Sequence, residues 1–236
     1  MLKKSSITNI EVYSEAWHKF RLGKGTSSKI HAICGADGFG KSGMTYVYQK
    51  VGELLTGKSN DKELDFDEDL EWGKLYEPES IEAFAKKMGI KLLVTQKIIS
   101  EPGSRFSSTP DAIWVHGECK IDTSEYNVSI AEGKCPRTYH NFIPKFLCRT
   151  PAELYKINKE NFWQVIDQMH QSGSSKGYFF VYHPYFTEGS NINIIEFRQM
   201  ELWKEFKLLS DRKKEFIQIF DKIFDEMRPK IHHIPA

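Results

Sequence analysis

The sequence has no long apolar run and almost no net charge. None of its hydrophobic stretches approaches the roughly 20 residues that a membrane-spanning helix needs, so no membrane partner is expected. Its 33 basic and 32 acidic side chains balance to a formal net charge of +1. Any surface that binds nucleic acid must therefore be local, because the chain as a whole is not basic.

Cysteine is also scarce, and the N-terminus lacks a secretion signal. The four cysteines, none of which share CxxC spacing, are Cys34, Cys119, Cys135 and Cys148. The basic N-terminal residues are followed by no apolar segment of the kind that a signal peptide requires. These absences predict a cytoplasmic protein with reduced thiols, rather than a disulfide framework or a zinc site.

The chain does contain enough apolar material for one domain. Of its 236 residues, 40% are hydrophobic and 13% aromatic, which favours a single domain over residues 1–236. The spacing of apolar residues predicts helices over 14–20, 45–55, 70–87, 159–171 and 200–227. Short apolar runs between turn residues predict strands over 91–100, 111–116, 128–134, 178–182 and 191–198. This order predicts an α/β fold in which helices flank a central mixed β-sheet.

Two of the predicted strands carry a pair of carboxylates and a lysine. Asp111 opens one strand, and Glu132-Gly133-Lys134 ends another. Side chains alternate along a strand, so Glu132 and Lys134 share a face from which Gly133 points away. If the strands are neighbours, Asp111 meets Glu132, and two facing carboxylates suit a hard cation such as Mg²⁺ or Mn²⁺. Such a metal would activate a water molecule to attack a phosphodiester beside Lys134. So short a pattern also arises by chance, so the neighbouring motifs must decide whether it is a metal site.

The surroundings of this trio are more specific than the trio itself. In chain order the motifs are Trp17-His18-Lys19-Phe20-Arg21-Leu22-Gly23, Thr26-Ser27-Ser28, Gly73-Lys74-Leu75-Tyr76-Glu77-Pro78-Glu79, Ser108-Thr109-Pro110-Asp111, Glu132-Gly133-Lys134-Cys135-Pro136, Phe162-Trp163-Gln164 and Gly177-Tyr178-Phe179-Phe180-Val181. Their order and spacing, over about residues 11–186, resemble the lambda-type phage exonucleases, which are the YqaJ-like viral recombinase family of the PD-(D/E)XK nuclease superfamily. The resemblance implies a nuclease core over about 70–200, with a helical DNA-end-binding region over about 11–57 before it and a C-terminal helix over about 200–227 after it.

The resemblance implies catalytic roles for particular residues. Asp111 and Glu132 would be the metal ligands, helped by the backbone carbonyl of Gly133, and Lys134 would be the catalytic lysine. Glu77, in the long predicted helix, matches the family's helical glutamate near a second metal position. The chain departs from the family at Gly133, because many relatives carry an apolar residue there.

Three further positions match family residues: one is catalytic, and two bind the DNA end. Gln164 matches the active-site glutamine on the helix that follows the catalytic strands. Arg21 and Ser28 match the pair that holds the 5′-terminal phosphate, for which an arginine fork and a hydroxyl are chemically apt. The neighbouring hydroxyls of Thr26 and Ser27 stay open as alternatives to Ser28.

The activity that this resemblance implies is a Mg²⁺-dependent 5′-to-3′ exonuclease on double-stranded DNA ends, with Mn²⁺ as a substitute. It would release mononucleotides and leave 3′ single-stranded tails for recombination by strand annealing. The implied partners are a phage single-strand annealing protein and two further copies in a homotrimeric ring, inside a bacterial host cell. The alternative within the superfamily is an endonuclease or a repair nuclease.

A competing motif lies between the first two predicted helices. Gly35–Ser42 matches the P-loop pattern GxxxxGK[ST], whose backbone amides cradle phosphates, so a P-loop NTPase is a second alternative. No apolar strand ending in a Walker-B aspartate follows it, and the segment after Ser28 reads as the end of a helix rather than a strand. Lys41, the lysine of this motif, is also a candidate contact for the DNA backbone.

Overall fold

The computed structural model describes residues 2–3, 6–35, 38–59, 67–91, 94–116 and 125–231. The α-helices are α1 (Glu15–Arg21), α2 (Gly40–Thr56), α3 (Glu68–Met88), α4 (Tyr139–Leu147), α5 (Pro151–Ile157), α6 (Lys159–Ser172) and α7 (Trp203–Met227). The strands are β1 (Leu2–Lys3), β2 (Ile7–Thr8), β3 (Gly25–Thr26), β4 (Ile98–Ile99), β5 (Phe106–Ser107), β6 (Ala112–Val115), β7 (Glu125–Tyr126), β8 (Val128–Lys134), β9 (Lys176–Tyr182) and β10 (Ile192–Arg198). Short 3₁₀ helices cover Ser27–Ile33 and Arg228–Lys230.

Capping residues set the ends of the first helices. The side chain of Ser14 accepts a hydrogen bond from the backbone N–H of Trp17, which satisfies a free donor at the start of α1. Asp67 caps α3 in the same way, and Gly57 and Gly89 end α2 and α3 with φ of 66° and 68°. A residue with a side chain rarely adopts this left-handed backbone, so glycine marks the stop. The helices predicted from these signals are confirmed, with α2 starting five residues earlier than predicted.

The central sheet is mixed, as the sequence predicts. Its four strands lie in the order β10-β9-β8-β6, in which β8 and β9 run parallel and the two outer pairs antiparallel. The register pairs Ala112 of β6 with Ala131 of β8. Two-stranded pairs, β1 with β7, β2 with β4, and β3 with β5, attach the N-terminal segment to the middle of the chain.

The sheet buries a different apolar cluster on each face. Phe179 and Val181 of β9 pack with residues of α6 such as Ile166. The intervening Phe180 points the other way and stacks on Phe84 of α3, with ring centroids 4.7 Å apart. This alternation follows from the two-residue period of a strand. Helices α6 and α3 therefore cover opposite faces, and both reach the edge where β8 ends.

The predicted strand over 91–100 is much shorter in the structure. Leu92 and Leu93 lie outside the described residues, and only Ile98–Ile99 is a strand. Val94 makes an isolated bridge to Ile113. Between them Gln96 has a φ of 54°, a left-handed conformation that interrupts an extended chain.

The segment predicted as a proline-containing loop before residue 159 instead forms α4 and α5. Pro151 sits in the first turn of α5, where its missing N–H removes no hydrogen bond, and Thr150 caps the helix by accepting from Glu153 N. Pro144 lies inside α4, which buries Phe142 against the core. Tertiary packing thus overrides the helix-breaking tendency of Pro144. The C-terminal helix, predicted from about 200, begins at Trp203.

The cysteines behave as the sequence predicts where they are described. Cys34, Cys135 and Cys148 are free thiols, and Cys119 lies outside the described residues. Burial raises the pKa of Cys34 to about 12 and that of Cys135 to about 11, so both thiols stay protonated at neutral pH. No helix in the described part of the chain is long and apolar enough to cross a bilayer.

Candidate active site

The predicted carboxylates and lysine meet at one edge of the central sheet. Because Ala112 pairs with Ala131 in antiparallel register, Asp111 falls level with Glu132 one step further along. The Asp111 Oδ2 atom accepts a hydrogen bond of 2.7 Å from the backbone N–H of Gly133. The condition set from the sequence, that the two strands be neighbours, is met.

Glu132 is the most enclosed member of the group. It is 2% exposed, and each of its carboxylate oxygens accepts a hydrogen bond of 2.6 Å, Oε1 from Gln164 Nε2 and Oε2 from Gln168 Nε2. Both glutamines project from α6, one helical turn apart, and Lys134 Nζ also donates to Oε1. A buried carboxylate needs such partners, because leaving it unpaired would be costly. The three donors hold Glu132 in a single orientation.

Lys134 is cationic at this edge. Burial alone would lower its pKa, but the charges of Glu132 and Asp111 and the hydrogen bond to Glu132 outweigh it, and the pKa is raised. Its side chain is still about one-third exposed. Lys134 therefore presents a fixed positive charge to the solvent side of the site rather than a neutral amine.

Two other carboxyl groups of the site hold their protons more tightly than usual. The pKa of Asp111 is raised well above its ordinary value, first by burial, then by the charges of Glu132 and Glu77, against the opposing effects of Lys134 and the Gly133 hydrogen bond. The pKa of Glu77 on α3 is raised by burial and by Glu132. Repulsion between carboxylates raises their pKa when no cation lies between them. Glu77 is thereby placed in the same electrostatic group as the strand carboxylates.

The donors at this edge fit a hard divalent cation. In the part of the chain that the structure describes, no three His, Cys, Asp or Glu side chains are grouped closely enough to hold a metal unaided. Mg²⁺, however, is usually held by one or two carboxylates together with waters and substrate phosphates. Asp111 and Glu132 supply two carboxylates. Glu132 Oε1 already accepts two hydrogen bonds, but the other three oxygens have lone pairs that the observed hydrogen bonds leave unused. The Gly133 carbonyl is a further oxygen on the same strand.

Gly133 has a packing reason for its missing side chain. A Cβ atom at this position would lie 2.3 Å from Cζ of Phe180, on the opposite face of the sheet from Glu132. The missing side chain therefore makes room for the Phe180 ring.

Arg21 is linked to this edge through the rings of Trp17 and Tyr13, whereas Ser28 lies on the segment that packs against α6. The Arg21 guanidinium stacks over the Trp17 ring at 4.0 Å, and Trp17 in turn contacts the ring of Tyr13. The pKa of Tyr13 is raised by burial and by the charges of Glu77 and Asp111, so Tyr13 lies within electrostatic reach of the carboxylates. Ser28 is exposed, and its hydroxyl lies 3.3 Å from that of Thr26.

The segment that carries Ser28 is anchored by a buried ionic network that sequence reasoning missed. The Ser27 hydroxyl donates to Asp167 Oδ2 at 2.6 Å, and Gln171 Nε2 donates to the same oxygen at 2.7 Å. Lys213 of α7 pairs with the other Asp167 oxygen. The signal in the sequence is Lys213 itself, which interrupts the apolar stripe of α7 and therefore needs a buried partner. Ser27 is thus a structural hydroxyl. Of the other two hydroxyl residues, Ser28 is exposed and Thr26 is buried.

The P-loop match does not have the architecture that a P-loop needs. Residues 36 and 37 lie outside the described residues, but Gly40, Lys41 and Ser42 form the first turn of α2. The segment before the motif is the 3₁₀ helix Ser27–Ile33 and not a strand. A P-loop connects a strand to a helix, so the NTPase alternative loses its structural basis.

Comparisons with known proteins identify the family and the fold. A family model described as the YqaJ-like viral recombinase domain matches residues 16–175, more than half of the chain. An alkaline exonuclease from Laribacter hongkongensis, LHK-Exo, shares the fold with a TM-score of 0.66 and 19% identity over 92% of this chain and 97% of its own. Its complex with dAMP gives 0.67 with the same identity and coverage. A phage-related exonuclease from Haemophilus somnus 129PT gives 0.59 and 15% identity over 86% and 96%. A comparison with curated protein sequences found no significant match.

Proposed function

Because this chain belongs to the YqaJ-like viral recombinase family, we propose that it is a Mg²⁺-dependent exonuclease that acts on double-stranded DNA ends. It removes mononucleotides from the 5′-ended strand and leaves a 3′ single-stranded tail for recombination by strand annealing. The fold shared with exonucleases from two bacterial sources supports the reaction class. The complex of the Laribacter enzyme with dAMP, a mononucleotide, supports the product class.

The observation that carries this proposal is the meeting of Asp111, Glu132 and Lys134 at one sheet edge. The carboxylates of Asp111 and Glu132 face each other beside the positively charged Lys134, and Gln164 orients Glu132. A bound Mg²⁺ would supply Lewis acidity to the scissile phosphate and lower the pKa of a coordinated water. Mn²⁺, with similar oxygen preference, would substitute for it.

The residues around the cation site have separable tasks. Lys134 stays protonated, because the neighbouring carboxylates raise its pKa, so it neutralises charge growing on the phosphate rather than acting as a base. Asp111 and Glu132 would hold the Mg²⁺ ion. The pKa of Glu77 is raised by burial and by the negative charge of Glu132. Glu77 would bind a second metal ion or accept a hydrogen bond from the attacking water.

Strand polarity rests on Arg21 and Ser28. Arg21 is braced by the Trp17 ring, and Ser28 follows Ser27, whose hydroxyl is tied to the buried Asp167. We assign the 5′-terminal phosphate to this pair, since a guanidinium and a hydroxyl both donate to phosphate oxygens. A homotrimeric ring would keep a nearly neutral chain on its DNA, and the 3′ tail would pass to a single-strand annealing protein in the cytoplasm of the bacterial host.

The central test is cleavage of linear duplex DNA with Mg²⁺ by the wild-type chain, Asp111→Ala and Lys134→Ala. We expect the wild type to release acid-soluble nucleotide and each variant to lose nearly all of that activity. A variant that keeps wild-type activity would remove the residue it alters from the site. Circular duplex DNA separates the endonuclease alternative, because an exonuclease leaves a closed circle intact.

Polarity is tested with duplexes that differ only at their 5′ ends. We expect a 5′-phosphate to be degraded faster than a 5′-hydroxyl, and Arg21→Ala to abolish the difference while leaving slow cleavage. Lys19→Ala changes an exposed basic residue of the same helix and is the matched control. Equal rates on both ends in the wild-type chain would contradict the assignment of Arg21 and Ser28.

A further inference from the structure

A second feature of the same sheet edge is a cavity of about 540 Å³ that the proposed reaction does not use. Three segments line it: the start of α3, the link from β8 to α4, and the turn after β9. The lining residues are Trp72, Arg137, Thr138, Tyr139, His140 and Tyr185. Because β8 and β9 are parallel neighbours, their C-terminal ends meet at one edge, which places this cavity beside the site at Glu132 and Lys134.

The walls of the cavity are aromatic rings that remain open to solvent. Tyr185 is 67% exposed and Tyr139 is 54% exposed, unlike the buried aromatic residues of the two cores. The Trp72 ring meets Tyr185 edge-on at 5.5 Å, and the Tyr139 ring lies 5.2 Å from that of His183. Each ring is thus supported by another ring while part of its surface faces outward. A flat ligand would gain most from such walls, because aromatic faces stack on planar groups.

Two polar atoms at this cavity are withdrawn from solvent and lack a protein partner. Trp72 Nε1 and Thr138 Oγ1 are buried, and neither has a hydrogen bond among the described residues. Thr138 occupies the N-cap position of α4, where a threonine hydroxyl normally caps the helix, yet its side chain makes no cap bond. Buried polar groups are nearly always paired, so such atoms call for a ligand or water. Two residues of the cavity lining therefore carry hydrogen-bonding groups without a protein partner, next to the exposed aromatic rings.

The charges at the cavity favour a base over a phosphate backbone. The Arg137 guanidinium is already held by Glu68 at 3.2 Å and by Asp69 at 2.8 Å. Those two carboxylates would repel the closely spaced phosphates of duplex DNA. They also hold the guanidinium plane in place, and an arginine plane stacks on an unpaired base.

We propose that this cavity binds an unpaired base of single-stranded DNA next to the catalytic edge. The base stacks on Tyr185 and Tyr139, and its edge groups bond to Trp72 Nε1 and Thr138 Oγ1. The inference rests on the proposed function, since an exonuclease that separates strands at its site produces unpaired bases there. It adds to that function a place that holds the separated strand through base stacking.

The test is binding of a fluorescein-labelled oligodeoxythymidylate to the full chain, followed by anisotropy in the presence of a chelator so that nothing is cleaved. We expect Tyr185→Ala and Tyr139→Ala each to weaken binding about 5- to 100-fold, the usual effect of removing one stacked ring. Tyr185→Phe and Tyr139→Phe keep the ring and should bind like the wild type. Trp203→Ala removes an equally exposed aromatic residue (58%) at the start of α7 and should change nothing.

A second probe, the same strand with abasic sugars, isolates the base. The alanine variants should bind this abasic strand as the wild type does, because no base is left to stack. Equal affinity of wild type and Tyr185→Ala for the thymidylate strand would overturn the proposal. So would an equal loss on both strands, which would mean that the rings support the fold or contact the backbone.

The two proposals fail separately. Digestion of linear duplex DNA with Mg²⁺ by the wild-type chain tests the nuclease function without reference to the cavity. If digestion is normal and the alanine variants bind thymidylate normally, only the stacking site is wrong. The opposite outcome is that digestion is absent, while the alanine variants bind the thymidylate strand more weakly but the abasic strand normally. The stacking site would then be confirmed and the exonuclease function would be wrong.

Discussion

The hydroxyl of Ser27 donates a 2.6 Å hydrogen bond to the carboxylate of Asp167, and both residues are buried. Asp167 lies on α6 between the two glutamines that orient Glu132, and it pairs with Lys213 of α7. One aspartate therefore joins the segment that carries Ser28, the helix that orients Glu132, and the C-terminal helix. The C-terminal helix has no motif of its own, but through Lys213 it takes part in this network.

Replacing Asp167 by asparagine should destabilise the chain and impair recognition of the DNA end. The change keeps the volume but leaves Lys213 as a buried charge without its partner, which costs about 3–5 kcal/mol. Chemical denaturation measures the free energy of unfolding. If Ser28 holds the 5′-phosphate, the variant should also lose more activity on 5′-phosphorylated ends than on 5′-hydroxyl ends.

The double variant Asp167→Leu with Lys213→Met is the control for this pair. It removes both charges together, and a buried ion pair replaced by apolar residues is often neutral or stabilising. Its free energy of unfolding should therefore exceed that of Asp167→Asn. If the double variant is the less stable of the two, the network is held by something other than the charge pair.

Gln168→Leu should disturb the orientation of Glu132 without removing its carboxylate. The variant removes the donor to Glu132 Oε2, while Oε1 keeps Gln164 and Lys134. An unsatisfied buried oxygen costs about 1–3 kcal/mol. The loss of orientation should lower activity about 10- to 100-fold, as is common when a partner of a metal-binding residue is removed.

Titration of activity against Mg²⁺ checks the cause of this loss. If Gln168 positions Glu132 for the cation, the variant needs more Mg²⁺ for half-maximal activity. An unchanged Mg²⁺ requirement with reduced activity would show that Gln168 acts only on stability. Gln171→Leu, one turn further along α6, removes a donor to Asp167 instead and should leave the Mg²⁺ requirement as in the wild type.

The strands that carry Asp111 and Glu132 could be predicted from the sequence, because the two-residue period of a strand also puts the charged side chains of Glu132 and Lys134 on one face. Alternation along Val128–Lys134 fixes which side chains share a face, and the antiparallel register then brings Asp111 level with Glu132. Gln168 was not predicted as a site residue, although its spacing of four residues from Gln164 puts both side chains on the face of α6 that meets Glu132. The partner of Lys213 does not follow, because residues 167 and 213 meet only through the packing of α6 on α7.

Gly133→Ala should destabilise the fold although it adds only a methyl group. The new Cβ would lie 2.3 Å from the Phe180 ring, which is fully buried and stacked on Phe84, so the ring has little room to move. Overpacking of this kind costs about 1–3 kcal/mol. Thermal unfolding measures the effect as a lower melting temperature.

Gly52→Ala is the matched control for that substitution. Gly52 lies inside α2, and a Cβ there would meet nothing within 4 Å. Alanine is favoured over glycine in a helix by about 0.5–1 kcal/mol, so this variant should melt slightly higher than the wild type. If Gly133→Ala is as stable as the wild type, the Phe180 ring can move aside with little loss of stability.

The helices that the sequence did not predict have a physical explanation. Prolines at 144 and 151 suggest a loop, since proline lacks an N–H and usually breaks a helix. Pro151 instead starts α5, and α4 tolerates Pro144 because Phe142 is buried in the core. Local propensity was outweighed there by burial, which depends on residues distant in the chain and is invisible to a local pattern.

Acid should weaken the fold through His170 in a defined pH range. Burial and the nearby charge of Lys213 lower the pKa of His170 from 6.5 to about 4, against the opposing charges of Asp167 and Glu101. Between these pH values the unfolded chain binds a proton that the folded chain does not, so the free energy of unfolding falls as the pH is lowered from 6.5 towards 4. Urea unfolding at several pH values measures this dependence. Between pH 6.5 and 4 the free energy of unfolding should fall less for His170→Gln than for the wild type. His140→Gln changes an exposed histidine, and its free energy of unfolding should depend on pH as in the wild type. Identical slopes for wild type and His170→Gln would show that His170 takes up its proton in the folded state as readily as in the unfolded one.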